Sequence, residues 1–329
     1  IQSPQTSADT LFAAMEQFAN ALISANHNVL YLTLDDTEGL SLTDLILKVI
    51  KQYDIQCFEY QQPDEYRLHK QLAEFSASIN KTNNRSDIQQ SKPNKIATLC
   101  VSTEHFFIEH QNLKNYFKAN TAHRMESFYR KLRKKFSILM DNDEPEGGQW
   151  NYDAANRNKL KPGDIDEIPQ ALLFNNNIDV INKRIQRHQL NTIGESHDHL
   201  MWPITRSQAK ELLNFFVHHC LVLFGQFQDA MTCATDKDNK AFWSLYHSRI
   251  SFALNTKMIS PHYVVDQVCS WHLLVEHAQL PNEKRTKRNA AFARLFLDSK
   301  NKNAMPEAFN LTKFGLCICA PYSATYDHW

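Results

Sequence analysis

Residues 29–60, VLYLTLDDTEGLSLTDLILKVIKQYDIQCFEY, contain two short apolar runs with an amphipathic stretch between them. Val29–Leu34 and Ile55–Tyr60 are predicted strands, because each is short and rich in residues that favour strands. Between them, Ser41 followed three residues later by Asp44 has the pattern of a helix N-cap, and the apolar residues that come next recur at helical spacing. A strand, a helix and a strand in succession predict a parallel sheet flanked by helices.

The same alternation continues on both sides of this stretch. Residues 9–25 are predicted to form a helix with Asp9 and Thr10 as candidate caps, and another helix is predicted to begin near Pro63. A third strand is predicted after that helix, at Ile96–Val101. The apolar stripe of the first helix is predicted to comprise Leu11, Met15, Phe18 and Leu22. Residues 1–120 are therefore predicted to form an α/β domain with a Rossmann-like parallel sheet.

Beyond Pro203 the composition favours helices. Thr205 is the predicted N-cap of one helix, and further helices are predicted at 239–254 and 261–277. The buried stripe of the helix after Thr205 is predicted to comprise Ala209, Leu212, Phe216, His219 and Leu223. We therefore predict an all-α domain over residues 201–329, joined to the first domain by a helix and a long linker over residues 121–200.

Length and composition restrict the class of protein. A chain of 329 residues exceeds one ordinary core and predicts two domains. Lys plus Arg equals Asp plus Glu at 36 each, so no global field steers the chain towards an anionic partner. The apolar runs are shorter than the roughly 20 residues of a membrane span, so we expect a soluble protein.

Cysteine and glycine usage point to the compartment and to the kind of nucleotide site. Seven scattered cysteines without a signal peptide predict reduced thiols and a cytoplasmic protein. Only seven glycines occur, and they form no Gly-rich phosphate loop of either common type. Because the chain opens with Ile1 and soon enters a helix, we also expect that the original N-terminus is missing.

Residues 123–136, HRMESFYRKLRKKF, predict a basic amphipathic helix. Met125, Phe128 and Leu132 fall on its predicted inner face. The cations that fall largely on its predicted outer face are Arg130, Lys131, Arg133, Lys134 and Lys135. A charge run of this kind is usually a solvated helix face, and the alternative is a face that binds phosphates.

Three further segments carry a resemblance to a known family. They are GGQWNYDAANR at 147–157, FGQFQDAM at 224–231 and LYHSRISFALNTKMISPHYVV at 245–265. Together they resemble the photolyase/cryptochrome flavoproteins, in the bacterial deoxyribodipyrimidine photolyase-related branch of the iron–sulfur (6-4) photolyase type. The resemblance extends from about residue 9 to about residue 268, and residues 269–329 resemble nothing recognised.

In photolyases a TS-x-LS pattern surrounds the diphosphate of FAD, and the matching residues here begin with His247, where the commoner photolyases carry Thr. The resemblance implies that the FAD-binding residues are His247, Ser248, Arg249, Ile250, Ser251 and Asn255. Serine hydroxyls and backbone N–H groups at a helix start can donate to phosphate oxygens, which agrees with the scarcity of glycine. Without the resemblance, Ser248 and Ser251 would be interpreted as capping and surface hydroxyls.

The linker between the predicted domains combines an aromatic ring with cations and amides, as a DNA backbone requires. The predicted DNA-binding residues are Trp150, Asn156, Arg157, Lys159 and Lys161. The alternative is a structural strut in which Trp150 packs between domains.

The resemblance implies light-driven repair of UV-induced pyrimidine lesions in DNA, of the (6-4) type, by an FAD-dependent carbon–carbon lyase that we expect to be monomeric. Family members also carry an earlier first strand that helps to hold a lumazine antenna, and four cysteines that bind a [4Fe-4S] cluster. Neither feature is found in this sequence, so the sheet is expected to be incomplete and the catalytic residues stay unassigned. The alternative is a non-catalytic cryptochrome-like or remnant binding protein.

Overall fold

The computed structural model describes residues 7–82, 96–152, 156, 158–190, 198–230 and 244–279. The described residues form two compact units. The N-terminal unit contains the described residues within 2–104 and 177–199. The helical unit contains the described residues within 105–176 and 200–310. Both units combine segments that are distant in the chain, and the domain boundaries that the sequence suggests at 120 and 200 stay a prediction.

The secondary structure of the described residues is mostly helical. The helices are α1 (Ser7–Ser24), α2 (Leu34–Thr37), α3 (Leu42–Gln52), α4 (Tyr66–Thr82), α5 (Met125–Phe136), α6 (Pro162–Asp166), α7 (Asp179–Arg187), α8 (Arg206–Phe215), α9 (Leu221–Phe227), α10 (Ser251–Asn255) and α11 (Pro261–Gln279). The strands are β1 (Cys57–Gln61), β2 (Ala97–Val101), β3 (Met140–Asp141), β4 (Glu144–Pro145), β5 (Asn176–Asn177) and β6 (His199–Leu200). Two 3-10 turns span His110–Asn115 and Glu146–Gly148, and a π-helical turn spans Phe216–Cys220.

The N-terminal unit has a mixed α/β architecture built on the parallel pair β1–β2. Cys57 lies opposite Ala97 and Gln61 lies opposite Val101. Apolar residues of α3, β1 and α4 form the core beneath this pair, namely Ile46, Ile50, Phe58, Leu72, Phe75 and Ile79. The strands predicted at 55–60 and 96–101 and their parallel arrangement are confirmed.

The strand predicted at Val29–Leu34 is wrong. Residues 27–33 have no regular secondary structure, and Leu34 begins α2. The Thr33 N–H and Oγ1 both donate to Asp36 Oδ2, at 2.8 and 2.7 Å. These local bonds close a helical turn at the end of the apolar run, and such side-chain bonds compete with the ladder of a sheet.

Helix α1 forms, but it begins at Ser7, so the predicted caps Asp9 and Thr10 lie buried inside it, and it buries a different face from the predicted one. Leu11 and Phe18 of the predicted stripe are exposed, whereas Ala13, Ala14 and Ala19 are buried. The apolar period identifies the helix without deciding which face is covered, because α1 carries apolar residues on more than one face.

Asp35 joins α2 to α7 through a group of ion pairs. Its carboxylate lies 2.7 Å from His188 Nε2, 3.2 Å from Arg187 Nη1 and 3.4 Å from Arg184 Nε. The hydrogen bond from His188 and the charges of Arg187 and Arg184 hold the pKa of Asp35 below its ordinary value.

The helical unit has a continuous apolar core. Residues of α8, the π-helical turn, α9 and α10 contribute to it, and α11 packs Tyr263, Val264, Val268 and Trp271 against it. Thr205 caps α8, since its hydroxyl accepts from the Gln208 N–H at 3.2 Å. The predicted cap at Thr205 and the predicted helix at 261–277 are confirmed.

The π-helical turn changes which residues face the core. Val217 and Cys220 are buried, while His219, part of the predicted stripe, is exposed. A π turn inserts one extra residue into a helix, so a stripe counted at regular helical spacing loses its register there.

The helix predicted at 239–254 is wrong for residues 244–250, which form a turn and an irregular segment ahead of α10. Arg249 has a φ of 56°, a left-handed conformation that an α-helix does not contain. Residues 239–243 lie outside the described residues. In the described part of the chain, none of the helices has the length and hydropathy that crossing a bilayer requires.

Candidate functional site

Residues 244–255, which we call the serine segment, are held in place by two hydrogen bonds to the preceding linker. The Tyr246 hydroxyl donates to the Asp164 carbonyl at 2.8 Å, and Arg249 Nη1 donates to the Leu172 carbonyl at 2.9 Å. Tyr246 is only 2% exposed and stacks on Phe227 with ring centroids 5.5 Å apart. The backbone of the segment is therefore fixed from its buried side.

Four polar side chains of the serine segment are accessible, whereas that of Ser244 is buried. Ser251 and Asn255 are exposed, and His247 and Ser248 are half-buried. Ile250 is buried, so only its backbone can reach a ligand. The segment thus offers two hydroxyls and an amide to a ligand, as the sequence predicts, although their assignment to a flavin stays a prediction.

Arg249 has a structural partner in addition to its predicted ligand role. Its guanidinium lies 6.0 Å from the Phe215 ring and donates to the Leu172 carbonyl. Burial lowers the pKa of Arg249, and burial raises that of the neighbouring Cys220 thiol. The sequence contains no signal for this contact, because Leu172 is 77 positions away.

Trp150, predicted to contact DNA, packs against α5 within the helical unit. Its ring centroid lies 5.1 Å from Arg130 Cζ, 5.5 Å from Arg133 Cζ and 5.8 Å from Lys134 Nζ. This arrangement resembles the predicted strut in that the ring is packed. The groups next to the ring are cations of its own unit, whereas the predicted strut packs between domains. A role in DNA binding stays a prediction.

Arg133 was expected on the outer face of α5, and the structure buries it. Its Nε donates to the Ile138 carbonyl at 3.1 Å, Nη1 donates to the Tyr129 hydroxyl at 3.1 Å, and Nη2 donates to the Leu139 carbonyl. Helix α5 ends at Ser137 in the left-handed conformation, so the chain turns back and brings these carbonyls to the guanidinium. Spacing within the helix cannot reveal this turn.

The other predicted DNA-binding residues have different surroundings. The Asn156 amide lies 3.1 Å from that of Gln228, and its backbone carbonyl accepts from the Asp229 N–H at 3.2 Å, so Asn156 is tied to the end of α9. Lys159 and Lys161 are exposed. Arg157 lies outside the described residues.

The described residues contain no group of three or more His, Cys, Asp or Glu side chains arranged to hold a metal ion. His218 and His219, adjacent in sequence, each lie against an aromatic ring: His218 against Trp271 at 4.1 Å and His219 against Phe215 at 4.9 Å. Packing is the role that these contacts indicate.

Comparison with known proteins gives three matches. The family model described as deoxyribodipyrimidine photo-lyase-related protein matches residues 8–201, and so ends before the serine segment. The chain is 26% identical over 250 residues to a (6-4) photolyase of Agrobacterium fabrum, an alignment that covers 76% of this chain and 45% of that protein. It is 32% identical over 154 residues to the uncharacterized protein R852 of Acanthamoeba polyphaga mimivirus, covering 46% of this chain and 69% of that protein. The chain therefore spans less than half the length of the (6-4) photolyase and about two thirds of the viral protein.

Proposed function

Since the chain belongs to the deoxyribodipyrimidine photo-lyase-related protein family, we propose that it is a photolyase-like flavoprotein that acts on UV-damaged DNA. The observation that carries the proposal is the similarity to a (6-4) photolyase over 250 residues. The proposed reaction is the light-driven repair of pyrimidine lesions, of the (6-4) type, by a monomeric protein in the cytoplasm.

The serine segment is the proposed FAD-binding site, and its residues fit a phosphate-bearing ligand. Ser248, Ser251 and Asn255 present accessible hydroxyl and amide groups, which can donate to phosphate oxygens. Tyr246 and Arg249 hold the backbone beneath them through their bonds to the linker. FAD would supply the light absorption and electron donation, while the chain contributes binding and orientation.

Lys159 and Lys161 are the proposed contacts of the linker with the DNA backbone. Both side chains are exposed, and lysines that contact phosphates contribute affinity without reading sequence. Trp150 would act with them as a supported aromatic surface, because cations of α5 lie near its ring.

An absorbance spectrum of the purified chain tests flavin binding. We expect a flavin band near roughly 450 nm, and we expect the bound flavin fraction to fall in the double variant Ser248→Ala/Ser251→Ala. The matched control is Ser127→Ala/Ser207→Ala, which removes two exposed hydroxyls outside the segment. A folded protein that is colourless even after incubation with FAD would contradict the proposal and favour the cryptochrome-like or remnant binding protein.

Repair is tested separately, with an oligonucleotide that carries a (6-4) lesion. Under blue light we expect the lesion to disappear, and in darkness we expect no change. A flavin-bearing protein that leaves the lesion intact under light would retain the binding part of the proposal and exclude the enzymatic part.

A further inference from the structure

The positive charge of this neutral chain is locally concentrated. Between His110 and Phe136 there are eight Lys or Arg residues and one acidic residue, Glu126, while the whole chain has 36 of each kind. The Glu126 carboxylate already has partners: its Oε1 accepts a hydrogen bond from Arg130 Nη2 at 2.5 Å and another from Asn151 Nδ2 at 3.2 Å. Within residues 110–136 there is therefore no second acidic residue to offset the remaining cations.

Three of these cations share one exposed side of α5. Lys131, Lys134 and Lys135 are exposed and occupy positions i, i+3 and i+4, which lie next to one another on a helix surface. We call them the lysine face. Arg130 and Arg133 of the same helix differ from them, because Arg130 pairs with Glu126 and Arg133 is buried.

Aromatic rings and a hydroxyl group lie against the lysine face. Because these groups are neutral, they do not neutralise the positive charges of the lysines. Lys135 Nζ donates to the Tyr116 hydroxyl at 3.2 Å and lies 5.3 Å from the Phe136 ring. Lys134 Nζ lies 5.8 Å from the Trp150 ring and 3.9 Å from the carboxylate of Asp143, a side chain that is 95% exposed. Among the residues that the structure describes, Asp143 is the one carboxylate within 4 Å of these three ammonium groups.

The apolar side of α5 is covered in part within the helical unit, because Phe128 packs there, whereas Met125, predicted on the same inner face, is 66% exposed. The Phe128 ring lies 4.7 Å from that of Phe117 and 5.4 Å from that of Tyr116. A helix that lies in a membrane surface would instead bury its apolar side in lipid. The charge and the packing together therefore favour a polyanion over a membrane as the partner of the lysine face.

We propose that the lysine face binds the phosphate backbone of duplex DNA, independently of sequence and of any lesion. The identity of the partner rests on the proposed function, while the surface rests on the charges of α5. Each phosphate that a lysine neutralises releases a condensed counterion, so such contacts make binding strongly dependent on salt. The lysine face would hold the duplex without taking part in the chemistry.

Binding of undamaged duplex DNA over a range of salt concentrations tests this surface. For Lys131→Gln/Lys134→Gln/Lys135→Gln we expect weaker binding and a slope of log K against log salt that is shallower by about 2 to 3, since each contact contributes about 0.9. The matched control is Lys48→Gln/Lys51→Gln/Lys70→Gln, which removes three exposed lysines of α3 and α4 and changes the net charge equally. Asp143→Asn should strengthen binding, because it removes the acidic neighbour of Lys134.

The outcomes separate this inference from the proposed function. If the slope of log K against log salt becomes shallower in the lysine-face variant and not in the control, the inference is supported even if the protein binds no flavin. An equal effect of the two triple variants, no duplex binding by the unaltered protein, or binding to phosphatidylserine vesicles in its place would overturn it. Should the triple variant fail to fold, Lys131→Glu compared with Lys48→Glu makes the same test, and equal effects of these two substitutions overturn the inference.

Discussion

At the scale of single residues, the Tyr246 hydroxyl is the contact whose loss has the clearest expected effect. Tyr246→Phe keeps the ring stacked on Phe227 but removes the bond to the Asp164 carbonyl, leaving a backbone acceptor without that donor. We expect the free energy of unfolding to fall by about 1 kcal/mol, the usual net contribution of one intramolecular hydrogen bond. Denaturant unfolding measures this change.

The matched control is Tyr53→Phe, which removes a hydroxyl from a ring that is 54% exposed. We expect its effect to stay within about 0.5 kcal/mol, as is usual for surface substitutions. Equal effects of the two substitutions would show that the Tyr246 hydroxyl does not anchor the serine segment.

At the scale of elements, the 3-10 turn after β4 depends on two neighbouring glycines with different requirements. Gly147 and Gly148 both have positive φ, 76° and 74°. A Cβ at Gly147 would lie 2.4 Å from the Tyr152 hydroxyl oxygen, whereas one at Gly148 would meet nothing within 4 Å. The turn thus needs a left-handed backbone conformation at both positions, but only Gly147 also needs the absence of a side chain.

We therefore predict that Gly147→Ala destabilises the protein more than Gly148→Ala. Gly148→Ala should cost about 1 kcal/mol for the left-handed conformation alone, and Gly147→Ala should add a smaller cost, because the half-exposed Tyr152 side chain has to move its hydroxyl aside. Thermal or denaturant unfolding of both variants measures the difference. Adding Tyr152→Phe should recover part of the loss at Gly147 and none at Gly148, and recovery at both positions would contradict the steric explanation.

At the scale of the whole molecule, four carboxyls with lowered pKa values make stability fall on acidification, while burial raises the pKa of Asp266, which acts in the opposite direction. Hydrogen bonds and nearby cations lower the pKa values of Asp35, Asp36, Glu65 and Glu126 below their ordinary values of 3.8 for Asp and 4.5 for Glu. A carboxyl with a lowered pKa stabilises the folded state above its unfolded pKa, and this contribution is lost as the pH falls through the folded pKa. Unfolding followed by circular dichroism should therefore show stability falling below about pH 4.

Asp35→Asn identifies the part of this acid dependence that comes from the ion pairs with α7. The variant should be less stable than the unaltered protein at pH 7, and the difference should shrink on acidification, because protonated Asp35 has also lost its charge. Glu38→Gln changes an exposed carboxylate three residues from Asp35, and it serves as a control that should show no such convergence. A difference that is constant from pH 7 to about pH 3 would mean that Asp35 acts through packing.

The accuracy of the sequence predictions depended on how local the deciding contacts are. Strands β1 and β2, the cap at Thr205 and the start of α11 are set by neighbouring residues, and these were predicted. The run at Val29–Leu34 has strand composition, yet the bonds of Thr33 to Asp36 close a helical turn at its end. In the site, the accessible hydroxyls of Ser248 and Ser251 could be predicted, while the anchoring of Arg249 at Leu172 could not.

The sequence by itself determined the order α3, β1, α4, β2 with its parallel pair of strands, the basic character of α5 and the motifs that carry the family resemblance. These follow from local propensity, period and composition, which any segment expresses without its neighbours. Only the tertiary structure decided that Arg133 is buried, that the π-helical turn exposes His219, and that Tyr246 and Arg249 fix the serine segment. Each of these depends on how the backbone turns and on which distant carbonyl or ring it brings within reach, and composition and spacing leave that open.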